Sequence, residues 1–390
     1  MERFLPQEEY ALRISRAQEA LAAAGFDGLL ASANATVYYL TGHVLCGFIY
    51  VPAEGTPIWF VRRPKGLQRD DVVYIKKPEQ IPGLLAERGL KMPSRLGLEL
   101  GRMSYDEALR LFKAFPGAET EDCSGLLSGL RAVKTEWELG RIRTSGIHHA
   151  AAYSRIHSVF RTGMTDYELQ VEMERILRLE GCLGQFRIAG ESMELFMGNV
   201  LAGENADAAS PYDFALGGAG MDSSLPVGCD GTVIRPGTTV MLDMNGNFTG
   251  YMTDMTRSYR MGKVPAEVEK AHQLSIDIHA ALRNFIRPGV AAKDAYNLAA
   301  KMVDEAGLLA NFMGHSQQAG FIGHGLGIEI NEWPVLAPRS RQVFEKGNVI
   351  AIEPKFVFPG VGAVGIENTY AVGDDALECL TNLPEELDDL

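Results

Sequence analysis

The chain has 390 residues, of which 46% are hydrophobic and 22% are charged. These proportions are ordinary for a globular protein, and the length allows two or three domains with a large core. The formal net charge of −13 argues against nucleic acid and anionic membrane surfaces as partners, because both are themselves negative. No apolar run approaches the roughly 20 residues that a membrane-spanning helix needs.

The cysteine content indicates the redox environment. There are five cysteines, an odd number without metal-type spacing: Cys46, Cys123, Cys182, Cys229 and Cys379. Such a set is typical of reduced thiols rather than of a disulfide framework. The opening MERFLPQEEY has neither the basic nor the apolar segment of a secretion signal. We therefore expect a cytoplasmic location.

The first third of the chain alternates helix and strand patterns. Apolar residues at helical spacing predict a helix from about residue 7 to Gly25, and FDGLLAS follows as a buried strand. Residues 47–63 predict a hairpin across EGTP, SRLGLEL another strand, and MSYDEALRLFKAF another helix. The alternation predicts a compact α/β domain over residues 1–130.

An internal repeat marks the remainder, residues 131–390. A long helix is predicted from Thr135 toward Phe160. The segment 160–181 then resembles the segment 285–307, with two glycines at the same separation in each. Each segment reads as a helix end, a glycine turn and a second helix closed by glycine. The period is far too long for a solenoid. It predicts two similar halves related by a pseudo-two-fold axis, with a site at their junction.

Two aspartates lie in the first half of this repeat. TVMLD predicts a strand that ends on Asp243, and GYMTD supplies Asp254 after a reversal containing Gly246, Asn247 and Gly250. The reversal can place the two carboxylates side by side. Paired buried carboxylates require a cation between them or one raised pKa. Two solvated loop acids are the alternative.

Three further ligand types lie in the second half. His324 is flanked by glycines in GHGLG, which predicts close approach of the backbone to a ligand. Glu353 ends the strand NVIAIEP, and Glu367 is predicted within the strand GAVGIENTYAV. Carboxylates with one imidazole suit Mn²⁺, Co²⁺, Fe²⁺ or Zn²⁺, and four acids are enough to bridge two ions.

The order of these five residues resembles that of the pita-bread metallopeptidases, which include methionine aminopeptidase, aminopeptidase P, prolidase and the metal-free creatinase. The resemblance runs from about Thr135, including KTEWELGRIR, to the C-terminus; NATVYYLTG in the first domain is similar to the creatinase/prolidase type. The resemblance implies an α/β (α+β) chain: a creatinase-like N-terminal domain followed by a pita-bread catalytic domain. It also implies two divalent metal ions and a homodimer.

The resemblance assigns a role to each of the five residues. By position, Asp243 would chelate one ion, and His324 with Glu353 would hold the other. Asp254 and Glu367 would bridge the two ions. The implied reaction is hydrolysis of a peptide or related amide bond, with a metal-bound hydroxide as nucleophile and Glu353 as its proton shuttle.

The chain departs from the proline-specific members at their histidines. A PHG-like turn becomes Pro226-Val227-Gly228, and the second histidine after the ligand becomes Asn331. Gly320 replaces a further family histidine, four residues before the ligand His324, and His315 lies nearby in the sequence but not at that position. By position, Val227, Asn331 and His315 are expected at the substrate, with Asn331 as the donor that remains. Losing one such donor typically costs about 10²–10³ in rate, so slow cleavage of Xaa-Pro bonds, or none, is expected.

Three functions stay open at this point. The first is a metal-dependent hydrolase of the aminopeptidase P/prolidase type, acting on a small peptide. The second keeps the metal site but performs a non-peptide C–N hydrolysis or a lyase reaction on a small molecule. The third is a non-catalytic binding protein. Retention of the five ligand types argues against the third, because buried carboxylates without a use are costly.

Overall fold

The structure is a computed structural model, and it describes residues 5–188 and 195–390. The chain divides into two compact units, Met1–Arg131 and Ala132–Leu390.

The first unit is a six-stranded mixed sheet with helices. Its elements are α1 (Gln7–Ala24), β1 (Gly28–Ala31), α2 (Asn34–Thr41), β2 (Cys46–Pro52), β3 (Ile58–Arg63), β4 (Val72–Tyr74), α3 (Ile81–Glu87), β5 (Arg95–Leu98), α4 (Tyr105–Ala114), β6 (Glu119–Asp122) and α5 (Ser124–Ala132). Its strand order is β4-β3-β2-β1-β5-β6, with β1 antiparallel to β2 and parallel to β5.

Local sequence signals account for this unit well. Helix α1 ends where Gly25 adopts a left-handed φ of 75°, a conformation that glycine adopts without a steric penalty. Ser104 caps α4 by accepting a hydrogen bond from the Glu107 N–H. The predicted hairpin is the antiparallel pair β2/β3. Leu30 and Phe60 belong to the buried core of the unit.

The second unit contains the internal repeat. Its elements are α6 (Glu136–Tyr153), α7 (Ile156–Val159), α8 (Asp166–Leu179), β7 (Gly198–Ala202), β8 (Thr239–Asn245), β9 (Asp254–Arg260), α9 (Ala266–Phe285), α10 (Ala292–Glu305), β10 (Gly323–Gly325), β11 (Glu332–Val335), β12 (Val349–Ile352), β13 (Lys355–Phe358), β14 (Gly362–Gly365), β15 (Asn368–Val372), β16 (Leu377–Cys379) and β17 (Asp388–Asp389). Its sheets have the orders β17-β9-β8-β7, β11-β10-β12-β15-β16 and β13-β14.

Backbone pairing confirms the repeat. Helices α8 and α10 both have 14 residues. Thr165, just before α8, forms an antiparallel bridge with Val233, and Ala291, at the equivalent position before α10, forms one with Val343. A glycine with positive φ stands at each equivalent turn: Gly163, Gly181, Gly289 and Gly307. The two segments therefore share one local structure.

The predicted long helix from Thr135 is interrupted. It forms α6 and then the short α7. At the junction the Arg155 N–H donates to the Ala152 carbonyl at 3.2 Å, three residues back instead of four. This tighter bond ends the α-helical register.

None of the helices within the described residues combines the length and apolar character that a bilayer crossing requires. The five cysteines are free thiols in the described structure, as their odd number predicts.

His279 is a buried histidine that we expect to make the folding of this unit sensitive to acid. His279 on α9 lies between the Tyr370 hydroxyl at 2.9 Å and the Ile366 carbonyl at 3.1 Å. Burial lowers the pKa of His279 to about 3, whereas the unfolded side chain titrates near 6.5. Between these two pH values the unfolded state binds the proton more readily than the folded state. The contribution of His279 to the unfolding free energy is therefore fully present above pH 6.5 and is lost as the pH falls toward 3.

We therefore expect His279→Gln to weaken the acid sensitivity of folding. From pH 7 to pH 5 the wild type should lose about 2 kcal/mol of unfolding free energy through this one group. The variant should lack that loss, even if it is less stable at pH 7. Denaturant titrations at the two pH values measure the difference, and equal pH dependence of both proteins would contradict the assignment.

Candidate metal centre

The two aspartates lie on neighbouring antiparallel strands, β8 and β9. In their register Asp243 faces Thr256, and Asn245 faces Asp254. The aspartates are therefore diagonal neighbours on one face of the pair rather than directly opposed, a separation still within side-chain reach. The reversal between the strands is a packed loop and not a tight turn: within it the Met252 N–H donates to the Gly327 carbonyl at 2.7 Å.

Glu367 lies at the junction of two sheets and not inside a strand. The sequence predicts a strand there, but the structure places Glu367 between β14 and β15, in an isolated antiparallel bridge with Thr256. Gly365 has φ 135°, which allows the chain to leave β14 in a direction that other residues rarely permit. The bridge brings Glu367 beside the aspartates, and the Thr256 hydroxyl donates to Glu367 Oε2 at 2.8 Å.

His324 lies at the centre of β10, and its flanking glycines serve the sheet. A Cβ atom on Gly323 would collide with the Ala351 carbonyl, and one on Gly325 with the Trp333 carbonyl. The sequence interpretation of these glycines as a ligand approach is therefore replaced by a packing role: they admit β10 between β11 and β12.

Glu353 follows β12 and completes a set of five ligand-type side chains. His324 Nε2 lies 3.5 Å from Glu353 Oε1 and 3.9 Å from Asp254 Oδ2. Ligand atoms fall into two groups, each within 4.8 Å: one from Asp254, His324 and Glu367, the other from Asp243, Glu353 and Glu367. All but the half-buried Asp243 are buried. The structure thus brings together the five residues that the sequence singled out, with two from the first half of the repeat and three from the second.

A sixth residue of this cluster, Lys355, was missed by the sequence reasoning. Its ammonium Nζ lies 2.8 Å from Asp243 Oδ2, 2.7 Å from Glu353 Oε2 and 3.4 Å from Glu367 Oε2. The residue is fully buried. The available signal is a lone lysine in the run IAIEPKFVF, because a lysine in an apolar stretch is rarely buried without a partner.

The charged groups in this cluster shift one another's pKa values. Burial, followed by the charges of Asp243 and Glu353, raises the pKa of Asp254 well above its usual range. Burial, followed by the charges of Asp254 and Glu353, does the same to Glu367. Burial by itself would lower the pKa of Lys355, but the surrounding carboxylates outweigh it and raise that pKa. The cluster therefore favours additional positive charge.

The ligand cluster opens into a small cavity of about 50 Å³. Part of its wall is apolar, from Phe186, Ile188, Leu195, Phe214, Leu216, Phe321 and Ile330, and the carboxylate-bearing Asp213 also lines it. Asn331, which the sequence places at the substrate, lines the cavity. Asn199 also lines it, and its buried Oδ1 has no partner among the described residues.

Val227 and His315 do not line this cavity, in contrast to the sequence expectation. Val227 is buried beside the loop that follows Gly217: a Cβ on Gly220 would meet its backbone. His315 is exposed, with Nδ1 3.3 Å from Asp207 Oδ2. Both residues belong to stretches without helix or strand, where an offset counted from a motif does not fix a position in space.

The donor set fits a divalent cation at the first group. Asp254, His324 and Glu367 offer two carboxylates and an imidazole, which suit Mn²⁺, Co²⁺, Fe²⁺ or Zn²⁺. The buried Oε1 of Glu367 has no hydrogen-bond partner among the described residues, a costly state that a cation relieves. The second group differs, because the Lys355 ammonium already contacts each of its three carboxylates.

Comparison with known proteins finds two matching family models and several relatives. Residues 140–374 match the family described as Metallopeptidase family M24, and residues 13–133 match the Creatinase/Prolidase N-terminal domain. The uncharacterized peptidase YqhT of Bacillus subtilis is 25% identical over 378 residues, covering 93% of this chain and 96% of that protein. An Xaa-Pro dipeptidase of Pyrococcus furiosus is 24% identical over 359 residues, covering 90% and 92%.

Solved structures share the fold. The Xaa-Pro dipeptidase from Bacillus anthracis superposes with a TM-score of 0.80 at 24% identity, covering 98% of this chain and 100% of that one. The X-Pro aminopeptidase from Thermotoga maritima has a TM-score of 0.77 at 21% identity, covering 97% and 99%.

Proposed function

Because the chain belongs to metallopeptidase family M24, we propose that it is a divalent-metal-dependent hydrolase that cleaves a peptide or related amide bond, with short Xaa-Pro peptides as its substrate class. The observation that carries this proposal is the convergence of Asp254, His324 and Glu367 at the base of a cavity. A divalent cation held there would supply Lewis acidity toward the scissile carbonyl.

We assign the proton transfers to Glu353. Its Oε2 accepts a hydrogen bond from the Lys355 ammonium at 2.7 Å, so one oxygen of the carboxylate is held. Its Oε1 lies 3.5 Å from His324 Nε2, and the residue lines the cavity. A carboxylate that lines the cavity and is fixed at one oxygen can take a proton from the attacking water and return it to the leaving amine.

The cavity wall supports a small apolar substrate group. Aromatic and aliphatic side chains, among them Phe214, Phe321 and Ile330, surround the ligand cluster. Such side chains suit contact with a small apolar group such as a proline ring. Two of the relatives, from Pyrococcus furiosus and Lactobacillus delbrueckii, are Xaa-Pro dipeptidases, which supports the same substrate class for this chain.

The identity of the cation and the oligomeric state are also part of the function that we propose. We propose Mn²⁺, Co²⁺, Zn²⁺ or Fe²⁺ as the cation, and a cytoplasmic homodimer as the working form. The sequence predicts two ions, and the structure offers two groups of ligand atoms, of which one already contains the Lys355 ammonium. Metal-dependent hydrolysis requires only that the first group be filled.

The direct test is a substrate panel. Xaa-Pro dipeptides, Xaa-Pro-Xaa tripeptides and small amides should be incubated with protein loaded with each cation in turn. We expect hydrolysis of Xaa-Pro bonds that is abolished by EDTA and restored by the cation. Activity that survives chelation, or no hydrolysis with any cation, would contradict the proposal.

A second candidate, a non-peptide C–N hydrolase or lyase, is favoured by one observation. Of the three residues expected at the substrate, Asn331 lines the cavity and neither Val227 nor His315 does. Peptide hydrolysis then depends on an amide where an imidazole is expected. Turnover of small amides in the same panel, without turnover of Xaa-Pro peptides, would select this candidate.

Asn331→His should raise kcat on Xaa-Pro peptides. Because Asn331 lines the cavity, an imidazole there can donate to the charge that develops in the transition state, an effect of up to about 10²–10³ per donor. Val227→His is the matched control and should leave kcat unchanged, since Val227 does not line the cavity. Steady-state kinetics separate kcat from KM. An increase from Val227→His alone would overturn the placement.

A further inference from the structure

Lys355 occupies the position of a cation. Its ammonium has three N–H donors, and it contacts three carboxylate oxygens, one each from Asp243, Glu353 and Glu367. These three residues are the whole of the second ligand group. The three donors of the ammonium are thus matched by the three carboxylates that could otherwise hold a metal ion.

The backbone holds Lys355 in this position. The Lys355 carbonyl accepts a hydrogen bond from the Met313 N–H at 2.8 Å, and Lys355 pairs with Gly365 across β13 and β14. A Cβ on Gly365 would stand 3.0 Å from the Lys355 Cα. Because glycine has no side chain, β13 can pack this closely against β14 at Lys355. The fully buried side chain has no solvent into which its charge could move.

We propose that Lys355 replaces one of the two divalent ions, so that the chain binds a single divalent cation at Asp254, His324 and Glu367. This inference rests on the proposed metal-dependent function. A second ion would have to share its oxygen ligands with a fixed positive charge, and like charges in a buried site repel strongly. The first group keeps a free donor in Glu367 Oε1, which has no partner among the described residues.

The replacement gives Lys355 a positioning role. It neutralises part of the charge on Asp243 and Glu353 whether or not a metal is present, and it fixes Glu353 Oε2 at 2.7 Å. In a site with two ions, removal of metal would leave four carboxylates facing one another. In this chain the second group should keep its geometry when the metal is removed.

The primary experiment counts ions in the full-length wild type. Protein dialysed against Mn²⁺ and then against metal-free buffer should contain about one ion per chain, and its electron paramagnetic resonance spectrum should show the hyperfine pattern of an isolated ion. About two ions per chain with an exchange-coupled spectrum would overturn the inference and leave the proposed function intact. Protein that binds no ion at all would overturn the proposed function as well.

Variants then test the role of the ammonium. Lys355→Ala removes the charge and opens space, so it should raise the Mn²⁺ content to about two ions per chain. Its melting temperature should also depend on Mn²⁺ much more steeply than that of the wild type. Lys346→Ala is the matched control: its exposed ammonium pairs with Asp374, and it should keep one ion. A folded Lys355→Ala protein with one ion would overturn the inference.

If Lys355→Ala does not fold, Asp243→Asn separates the two arrangements. Asp243 contributes to the second group only, so this variant should bind Mn²⁺ within about 100-fold of the wild-type affinity. Even residues that merely support a metal ligand typically cost 10–100-fold when mutated. A loss of Mn²⁺ affinity beyond about 100-fold would identify Asp243 as a ligand of the resident ion and overturn the inference.

Discussion

Glu367→Gln should abolish both cation binding and hydrolysis. Glu367 is the residue that the two ligand groups share. Its Oε1 is buried without a partner among the described residues, while its Oε2 accepts from the Thr256 hydroxyl at 2.8 Å. Glutamine has nearly the same shape but presents one oxygen instead of two and carries no charge. It therefore keeps the packing and removes the ligand.

The expected size of this effect is large. A bound cation contributes several kcal/mol of transition-state stabilisation, so its loss should lower kcat/KM by more than about 10³-fold. Metal analysis after dialysis with Mn²⁺ should show an empty protein with an unchanged circular dichroism spectrum. Glu378→Gln, at a partly exposed carboxylate that pairs with Arg143, is the control and should keep metal and activity. Full metal content in Glu367→Gln would show that the resident ion lies elsewhere.

Arg257→Met should destabilise the second unit by at least about 3 kcal/mol, because it leaves several buried acceptors unsatisfied and each costs about 1–3 kcal/mol. Arg257 lies on β9 and is 2% exposed. Its guanidinium donates to the carbonyls of Thr256, Glu367, Leu383 and Pro384 and to Asn368 Oδ1, all at 2.8–2.9 Å. The Arg257 side chain thus joins β9 to two other parts of the unit. These are the backbone of Glu367, our proposed metal ligand, and the C-terminal segment.

The matched control lies on the same strand. Arg260 pairs with Asp389 and Glu269 through partly exposed side chains, and exposed pairs are worth about 0–1 kcal/mol. Arg260→Met should therefore change the unfolding free energy little. Arg257→Lys should behave like Arg257→Met, since an ammonium cannot reproduce the planar fork of donors. Chemical denaturation of the metal-free proteins measures all three. A loss below about 1 kcal/mol in Arg257→Met would contradict the bridging role.

The sequence alone determined the repeat, the local elements and the five ligand types. Apolar periodicity and glycine positions predicted β8, β12 and the helix pairs, because these features are encoded within a few residues of each element. The order of Asp243, Asp254, His324, Glu353 and Glu367 along the chain also indicated the family, to which residues 140–374 belong. Each of these signals lies either within a short segment or in the order of residues along the chain.

The tertiary structure decided two kinds of feature: which residues pair between distant segments, and which side chains of a strand that is buried on both faces point toward the site. All four residues of β13 are buried, so alternation could not show that Lys355 faces the carboxylates. The bridge joins Glu367, which lies between β14 and β15, to Thr256 on β9, and no local pattern specifies such a pairing. Val227 and His315 lie in irregular segments, where the path of the chain is set by packing rather than by a repeating geometry. The sequence therefore determined which donors are present, and long-range pairing decided which of them meet and that Lys355 is already among them.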